Sequence, residues 1–320
     1  MNAMVYQRYG SPDVLQLQEV NKPSPGDNEV LVNIRASSLN AWDWDLVRGR
    51  PYLTRLGGPR KPRYKILGAD IAGRVEAVGG NVKTLNPGDE VFGDISGCGW
   101  GGFAEHTCAR EDALALKPAS MTFEQAAAVP QAAVLALQGL RKGQVQAGQR
   151  VLINGAGGGV GTFAVQIAKS FGVDVTGVDS TSKLDMLRSI GADEVIDYTQ
   201  EDFTRNGQRY DLILDVVAHR SIFDYQRALR PNGSLVVVGG STGRIFQVMS
   251  LGPLISRNSG KKLGLLLHKP NRQDLEFLNE MFVAGNVAPV IDRQYPLREV
   301  PDALRYFGEG HVQGEIVITV

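Results

Sequence analysis

The sequence predicts an α/β protein of two domains, one of which is a doubly wound parallel sheet. Up to residue 124, short alternating strands such as Glu29–Leu39 are separated by turns rich in proline and glycine. From residue 125 onward, strands and helices alternate, and the strands are almost continuously apolar. A dense glycine cluster, "INGAGGGVG", lies between the first of these strands and the next helix.

Length and composition limit the classes of protein that the chain can belong to. Its 320 residues suffice for two domains with separate cores, and 43% apolar with 21% charged residues is typical of a globular protein. Lysine and arginine balance aspartate and glutamate at 34 each, so we expect no nucleic-acid partner. No apolar run predicts membrane insertion, and the start "MNAMVYQRYG" does not resemble a secretion signal. Because Cys98 and Cys108 are the only cysteines, we expect a cytoplasmic protein without disulfides.

The elements of the second domain follow in regular order. Ahead of its first strand, the capping-box pair Thr122 and Gln125 predicts the start of a helix. The predicted strands are "RVLIN", "DVTGVD", "EVIDY", "YDLILDVV", "GSLVVVGG" and "KKLGLLLHK", and the predicted helices between them are "VGTFAVQIAKSFG", "SKLDMLRSIG" and "IFDYQRALR". A helix over 272–284 and the closing strand "GEIVITV" return the chain to the first domain.

The glycine cluster has the spacing of a dinucleotide-binding turn, with Ala156 in place of the first glycine of the fingerprint. Gly158 and Gly159 would let backbone approach a pyrophosphate, which the N–H groups of the following helix attract. Gly161 would let the helix pack closely on the strand. The alternative is a tight turn with no ligand.

The stretch "VDSTSK" gives conflicting signals about the cofactor. Asp179 ends the second strand of the series, where a carboxylate accepts hydrogen bonds from the ribose of NAD. Ser180, Thr181 and Lys183 instead offer donors and a positive charge to the 2′-phosphate of NADP. Ser180 or Thr181 could also cap the helix that starts near Lys183.

The ordered motifs "NEVLVNIRASSLNAWDW", "ILGADIAGRVEAVG", "PGDEVFG", "GGFAEH", "AAAVP", "VLINGAGGGVGTFAVQIAK", "GADEVIDY" and "GEIVITV" cover nearly the whole chain. In this order they resemble the medium-chain dehydrogenase/reductase superfamily, and most closely its zinc-independent quinone oxidoreductase branch. The resemblance implies a GroES-like β-barrel catalytic domain over 1–124, completed by 271–320. It also implies a Rossmann dinucleotide-binding domain over 125–270.

The family further implies an enzyme that passes hydride from NAD(P)H to a quinone or related conjugated carbonyl, with NADP(H) favoured. NAD(H) stays open because relatives specific for NADPH commonly carry a small neutral residue in place of Asp179. Leu135 replaces a threonine that many relatives have near the nicotinamide, so one hydroxyl contact is expected to be absent. The implied cofactor-binding residues are Ala156, Gly158, Gly159, Val160, Gly161, Asp179, Ser180, Thr181, Lys183, Tyr198, Val217, Ala218, Val238, Gly239 and Gly240.

Metal binding is predicted to be absent. By alignment of motifs, Asn40, Ala69 and about Gln131 occupy the positions of the catalytic zinc ligands in zinc-dependent relatives, and none is a thiol or an imidazole. The structural zinc lobe needs four cysteines, and the chain has two. His106 near the two cysteines could suggest a metal cluster, but no fourth ligand follows at suitable spacing, so we interpret it as a surface or barrel histidine.

Without zinc, hydrogen bonds alone must polarise the acceptor carbonyl. Asn40 is the best candidate for a side chain in the acceptor and nicotinamide pocket, followed by Asp43 on the same segment. Asn40 could instead only cap a helix starting at Ala41, and Trp42 and Trp44 could be core anchors. Two other functions stay open: an enone or alkenal double-bond reductase, and a cofactor-binding sensor or structural protein with little turnover. A homodimer through an edge strand of the second domain is a further possibility.

Overall fold

The computed structural model of the protein describes every residue, Met1–Val320. None of its helices has both the length and the apolar character needed to cross a membrane. The fifteen strands are β1 (Asn2–Val5), β2 (Gln16–Glu19), β3 (Glu29–Leu39), β4 (Asp70–Val78), β5 (Glu90–Asp94), β6 (His106–Arg110), β7 (Leu114–Leu116), β8 (Arg150–Asn154), β9 (Asp174–Asp179), β10 (Glu194–Asp197), β11 (Tyr210–Asp215), β12 (Leu229–Val237), β13 (Lys262–Leu265), β14 (Ile291–Pro296) and β15 (Glu315–Thr319).

Nine α-helices complete the regular structure, and a short 3₁₀ turn covers Tyr52–Arg55. The helices are α1 (Ala41–Arg48), α2 (Phe123–Ala127), α3 (Pro130–Lys142), α4 (Gly159–Ser170), α5 (Leu184–Ser189), α6 (Ile222–Ala228), α7 (Thr242–Ser259), α8 (Arg272–Val283) and α9 (Val300–Gly308). The capping box predicted at the start of α2 is present, because the Gln125 N–H donates to Thr122 Oγ1 and the Thr122 N–H donates to Gln125 Oε1.

The chain divides into two compact units. The first contains 1–131, 270–283 and 291–320, and the second contains 132–269 and 284–290. The sequence places the boundary at 124/125, but α2 lies against β3 and β4 and so belongs to the first unit. Residues 284–290, which the sequence assigns to the first domain, belong instead to the second unit. Gln166 on α4 fixes Ala288 to the second unit, donating to its carbonyl and accepting from its N–H, both at 2.9 Å.

The first unit is built on a mainly antiparallel sheet in the order β14-β15-β3-β4-β5-β7, with β6 pairing to β3 beside it. The long strand β3 pairs with β4, β6 and β15, and two register shifts against β4 interrupt a simple ladder. Its buried side chains Val30, Val32 and Ile34 alternate along the first half of the strand, as expected of a sheet with one face in a core.

Helices α1 and α9 close one end of this unit. Trp44 on α1 packs against Phe307 on α9 with ring centroids 6.4 Å apart, while Trp42 is 55% exposed. Only Trp44 of the two therefore serves as an apolar anchor. At Gly308 a Cβ would come within 2.4 Å of the Trp44 ring, so the close contact between the two helices needs a glycine there.

The second unit contains six parallel strands in the order β10-β9-β8-β11-β12-β13. Counted from β8, this is the 3-2-1-4-5-6 order of a Rossmann sheet, so the predicted fold class is confirmed. Strand β12 starts at Leu229 rather than at the predicted Gly233. Pro231 lies at the point where the pairing of β12 with β11 shifts register. The N–H that proline lacks is therefore not needed for a hydrogen bond between the two strands. Helix α7 is absent from the sequence-based prediction, because its Gly243, Gly252 and Pro253 are typical helix breakers.

Candidate functional site

The glycine turn after β8 is held by backbone hydrogen bonds. The N–H groups of Gly155 and Ala156 both donate to the Val178 carbonyl on β9, at 3.0 and 3.1 Å. Gly155 has a φ of +80°, a conformation that favours glycine. At Gly161 a Cβ would lie 2.2 Å from the Gly155 carbonyl oxygen, so only glycine lets α4 approach the turn this closely. The turn is therefore rigid, and it leaves no space on the side that packs against α4 at Gly161, which we call its inner side.

The outer side of the same turn is open. A Cβ at Gly158 would meet only the Gly155 carbonyl oxygen, at 3.9 Å, and Gly158 has an ordinary φ of −89°. Gly158 is the N-cap residue of α4, and no side chain caps this helix start. The first N–H groups of a helix have no partner within the helix, and with the helix dipole they favour an anion. The turn therefore fits the pyrophosphate of a dinucleotide.

Strand order reverses between β8 and β11, and a polar side chain lies at the end of each of these two strands. Asn154 ends β8, and its Nδ2 donates to Oδ1 of the fully buried Asp215 at the end of β11, at 2.9 Å. Burial raises the pKa of Asp215. Ligands of open α/β sheets bind outside the carboxyl ends of the strands at this switch point. This pair is not among the residues predicted from the sequence, although a polar residue at the end of an apolar strand is a signal for it.

The strand ends predicted beside the cofactor pair with each other. The Ala218 N–H donates to the Gly239 carbonyl at 3.0 Å, and the Val238 N–H donates to the Asp215 carbonyl at 2.8 Å. At Gly240 a Cβ would lie 2.5 Å from the Ala218 nitrogen, so the two segments meet through backbone alone. Val217 is 38% exposed and directs an apolar side chain outward from this edge.

Asp179 and Lys183, which gave opposite signals in the sequence, face each other as an ion pair. Lys183 Nζ lies 3.6 Å from Asp179 Oδ1, and both residues are 7% exposed. Asp179 Oδ1 accepts from the Ser180 N–H at 2.9 Å, and Oδ2 accepts from the Gly157 N–H at 2.8 Å. The carboxylate thus fixes the glycine turn to the end of β9, and its charge is offset locally.

The neighbouring hydroxyl groups have different environments. Thr181 Oγ1 donates to Asp197 Oδ2, so this hydroxyl is engaged at the end of β10. Ser180 makes no side-chain cap for the 3₁₀ turn that precedes α5, which disfavours the capping alternative. Tyr198 is 55% exposed, and its N–H donates to the Asp179 carbonyl at 3.1 Å. Ser180 and Tyr198 therefore remain open to a ligand beside Asp179.

In the first unit, Asn40 is the N-cap residue of α1 and is 7% exposed. Its Nδ2 donates to Asp70 Oδ2 at 3.2 Å and to Ser38 Oγ at 3.4 Å, so both amide hydrogens have acceptors. Asp43 is fully buried, and it accepts from the N–H groups of Asn40 and Gly68 at 2.8 and 2.9 Å. Burial raises the Asp43 pKa to about 7. These contacts give Asp43 a structural role at the start of α1.

Asp70 is the centre of this region. Its Oδ2 accepts from the Ser38 hydroxyl at 3.2 Å, the Asn40 amide at 3.2 Å and the Gln131 N–H at 2.9 Å. Oδ1 is buried and has no hydrogen-bond partner. Burial, and then the nearby charge of Asp94, raise the Asp70 pKa well above its ordinary value. Asp70 is not predictable as a site residue from the sequence, because its partners lie far from it along the chain.

The residues of this region do not fit a catalytic zinc ion. Asn40, Ala69 and Gln131 supply two amides and a methyl group, and the first and last contact the Asp70 carboxyl. Nowhere in the chain do three histidine, cysteine, aspartate or glutamate side chains form a group that could hold a metal. His106 Nε2 lies 3.1 Å from Glu76 Oε2, and Cys98 and Cys108 are unpaired.

Comparison with known proteins identifies the family. Residues 26–119 match the family described as alcohol dehydrogenase GroES-like domain, and residues 190–318 match the one described as zinc-binding dehydrogenase. The chain is 35% identical to a 2-methylene-furan-3-one reductase of Solanum lycopersicum, over 99% of this chain and 79% of the relative. It is 32% identical to a chloroplastic NADPH-dependent alkenal/one oxidoreductase of Arabidopsis thaliana, with the same two coverages.

The solved structures agree with this assignment. The fold superposes on the crystal structure of Escherichia coli quinone oxidoreductase complexed with NADPH with a TM-score of 0.87. The two are 25% identical, and the match covers all of both chains. The resemblance inferred from the sequence motifs is confirmed. The chain is an oxidoreductase of the medium-chain dehydrogenase/reductase superfamily, in the branch that contains quinone oxidoreductases and alkenal reductases.

Proposed function

We propose that this protein transfers hydride from NADPH to a quinone or a related conjugated carbonyl compound, without zinc. The observation that carries the proposal is the glycine turn, which is sterically closed toward β8 at Gly161 and open toward solvent at Gly158. The family membership supports it, since the named relatives include a quinone oxidoreductase bound to NADPH and an NADPH-dependent alkenal/one oxidoreductase.

Residues of the second unit would hold the dinucleotide. The N–H groups at the start of α4 would bind the pyrophosphate, and the segments Val217–Ala218 and Val238–Gly240 would lie beside the nicotinamide. When bound, the reduced nicotinamide supplies the hydride. The reversal of strand order between β8 and β11 favours this placement, and Asn154 and Asp215 join the two strand ends there.

NADPH is the proposed cofactor rather than NADH. Asp179 accepts two backbone N–H groups and pairs with Lys183, so its charge is partly neutralised before any cofactor arrives. The repulsion of a 2′-phosphate is reduced accordingly. Ser180 and Tyr198 are available beside it, and the NADPH dependence of the named relatives points the same way. Asp179 nevertheless keeps lone pairs for ribose hydroxyls, so we expect measurable activity with NADH.

The first unit would place the acceptor without a metal ion. Asp70 draws Asn40 and Gln131 together, and these are two of the positions where zinc-dependent relatives carry ligands. We propose that Asn40 shapes the acceptor pocket and that Asp70 orients it, while Asp43 fixes the start of α1. Aromatisation of a quinone drives hydride acceptance, so strong polarisation by the protein is unnecessary. A cytoplasmic location is also part of the proposal.

Enone double-bond reduction is the second candidate function. Two relatives with 35% and 32% identity are named for reduction of an alkylidene furanone and of alkenals or alkenones. In this reaction hydride would add to the carbon β to the carbonyl, and a proton would add to the α carbon. Either acceptor is compatible with the proposed hydride transfer, because both present a carbonyl conjugated to an electron-poor carbon.

A panel assay separates these functions. The purified chain is mixed with NADPH and, in turn, with quinones, alkenals, alkenones and simple saturated ketones, and loss of the nicotinamide absorbance is followed. We expect oxidation with the quinones or enones and none with the saturated ketones. Product analysis then distinguishes hydroquinone from saturated carbonyl. NADPH binding without turnover of any acceptor would refute the enzymatic proposal and favour the cofactor-binding sensor.

A further inference from the structure

The segment between α1 and β4 is strongly basic, although the whole chain is neutral. Residues 46–69 contain seven lysine and arginine residues and no aspartate or glutamate. Since the net charge of the chain is zero, the remaining residues carry a net charge of −7. The seven cations are Arg48, Arg50, Arg55, Arg60, Lys61, Arg63 and Lys65. We call residues 48–65 the basic loop.

The exposed cations of the basic loop form no ion pair within the protein. No ion pair in the structure includes any of the seven, and five of them are exposed: Arg50, Arg60, Lys61, Arg63 and Lys65. Elsewhere exposed arginines commonly pair with carboxylates, as Arg188 does with Asp185 and Arg305 with Asp302. The positive potential of this surface is therefore directed into solvent.

Large apolar side chains are exposed between these cations. Tyr52, Leu53 and Leu56 are 76%, 62% and 74% exposed, which places them among the most exposed large apolar residues of the chain. They lie on or directly after the 3₁₀ turn over Tyr52–Arg55. Single exposed apolar residues need no explanation, but three within five positions form a patch that suits an apolar partner.

The basic loop is folded onto itself, which brings cations and apolar groups from both of its halves close together. The Arg55 guanidinium stacks on the rings of Tyr9 and Tyr52, with 4.5 and 4.9 Å to their centroids. Tyr9 Oη donates to the Gly58 carbonyl at 2.7 Å. A Cβ at Gly57 would lie 3.3 Å from Arg63 Cδ, so the chain returns and places Arg63 beside Gly57. Tyr9 thereby anchors both halves of the loop.

We propose that the basic loop binds the surface of an anionic phospholipid membrane. Clustered lysine and arginine attract anionic headgroups, and exposed leucine and tyrosine side chains enter the boundary between headgroups and acyl chains. Nucleic acid is the other polyanion to consider. Single strands are bound by stacking of bases on aromatic side chains, and here two of the three exposed apolar residues are aliphatic. The combination of charge and aliphatic groups favours lipid.

Vesicle flotation tests this proposal with the full chain. Vesicles contain phosphatidylcholine alone or phosphatidylcholine with phosphatidylglycerol. We expect binding only to the anionic vesicles, with release at high salt because exposed charges are screened. Replacing Arg60, Lys61 and Arg63 together by serine should weaken binding about a hundredfold, from about fivefold per cation. Leu53→Ser with Leu56→Ser should weaken it about tenfold at unchanged net charge.

A matched control carries the same change of charge elsewhere. Lys83, Arg209 and Arg257 are exposed and lie outside the basic loop, so their joint replacement by serine should reduce binding much less. All variants change exposed side chains, and unchanged thermal unfolding and NADPH binding would confirm that they fold. Equal binding to both vesicle types, equal loss in the control, or tighter binding to a DNA oligonucleotide than to anionic vesicles would overturn the proposal.

Discussion

The glycine turn and the Asp70 network are both tight polar arrangements, but they are built in different ways. The turn uses backbone groups within a few residues of each other, such as Gly155 and Gly161. The Asp70 network joins side chains and backbone from Ser38, Asn40 and Gln131, which come together only when the first unit folds. The first arrangement therefore leaves a motif in the sequence, while the second leaves only isolated polar residues.

The largest expected effect concerns the inner side of the glycine turn. Gly161→Ala places a Cβ 2.2 Å from the Gly155 carbonyl oxygen, and the backbone there is held by the hydrogen bonds of Gly155 and Ala156 to Val178. We expect a loss of about 3 kcal/mol or more in the free energy of unfolding, measured with urea. Gly243→Ala is the control, because nothing lies within 4 Å of the added Cβ in that helix. A stable Gly161→Ala protein would contradict the packing role.

The outer side of the turn should behave in the opposite way. Gly158→Asp adds a preferred N-cap residue at an ordinary φ, so we expect unchanged or slightly higher stability. Its charge would repel a pyrophosphate, and NADPH affinity should fall about a hundredfold, or about 2.7 kcal/mol. Titration of NADPH by fluorescence measures this, and Gly158→Ser should lose less. An unchanged affinity would show that the start of α4 does not bind the cofactor.

The fold of the second unit was predictable from sequence because its signals are local. Apolar strands alternate with helices, and the glycine fingerprint marks the first crossover. Helix α7 was not predictable, because its glycines and Pro253 are tolerated only through tertiary packing. In the first unit, Asn40 was recognised as a candidate, but Asp70 lies beside it only through the pairing of β3 with β4. Long-range contacts of this kind have no signature in one sequence.

An effect of intermediate size is expected in the pH dependence of stability, which tests the Asp70 network. Burial and then Asp94 raise the pKa of Asp70 in the folded state above the unfolded value of 3.8. The folded state then binds the proton more tightly, so this group's contribution to stability falls as pH rises from about 4 toward the folded pKa. Asp70→Asn removes this dependence. As pH rises over this range, the free energy of unfolding of the variant relative to that of the wild type should increase by up to about 1.4 kcal/mol per pH unit.

Asp224 provides a control of opposite sign. The Ser221 hydroxyl lowers the pKa of Asp224, so its contribution is present above the unfolded pKa and is lost as pH falls through the folded value. Asp224→Asn should therefore lose stability relative to the wild type at neutral pH and approach it in acid. Urea unfolding from about pH 2 to about pH 7 covers both cases, because the change at Asp224 falls below about pH 4 and that at Asp70 above it. Parallel curves for Asp70→Asn and the wild type would refute the buried carboxyl account.

The smallest expected effect concerns the choice of cofactor. Asp179→Ser removes a carboxylate beside the proposed 2′-phosphate site and releases Lys183 from its ion pair. The ratio of kcat/KM for NADPH to that for NADH should rise about tenfold, which corresponds to about 1.4 kcal/mol. Asp185→Ser, at an exposed carboxylate on α5, should leave the ratio unchanged. No change with Asp179→Ser would place this carboxylate away from the ribose.

Direct hydride transfer is the central claim, and isotope labelling tests it most directly. NADPH carrying deuterium at nicotinamide C4 is oxidised by the purified chain with an enone acceptor, and the product is examined by mass spectrometry and NMR. We predict deuterium at the carbon β to the carbonyl, together with slower turnover of the labelled cofactor for both enones and quinones. A product that takes this hydrogen from solvent, or no oxidation of NADPH by any conjugated acceptor, would contradict the account.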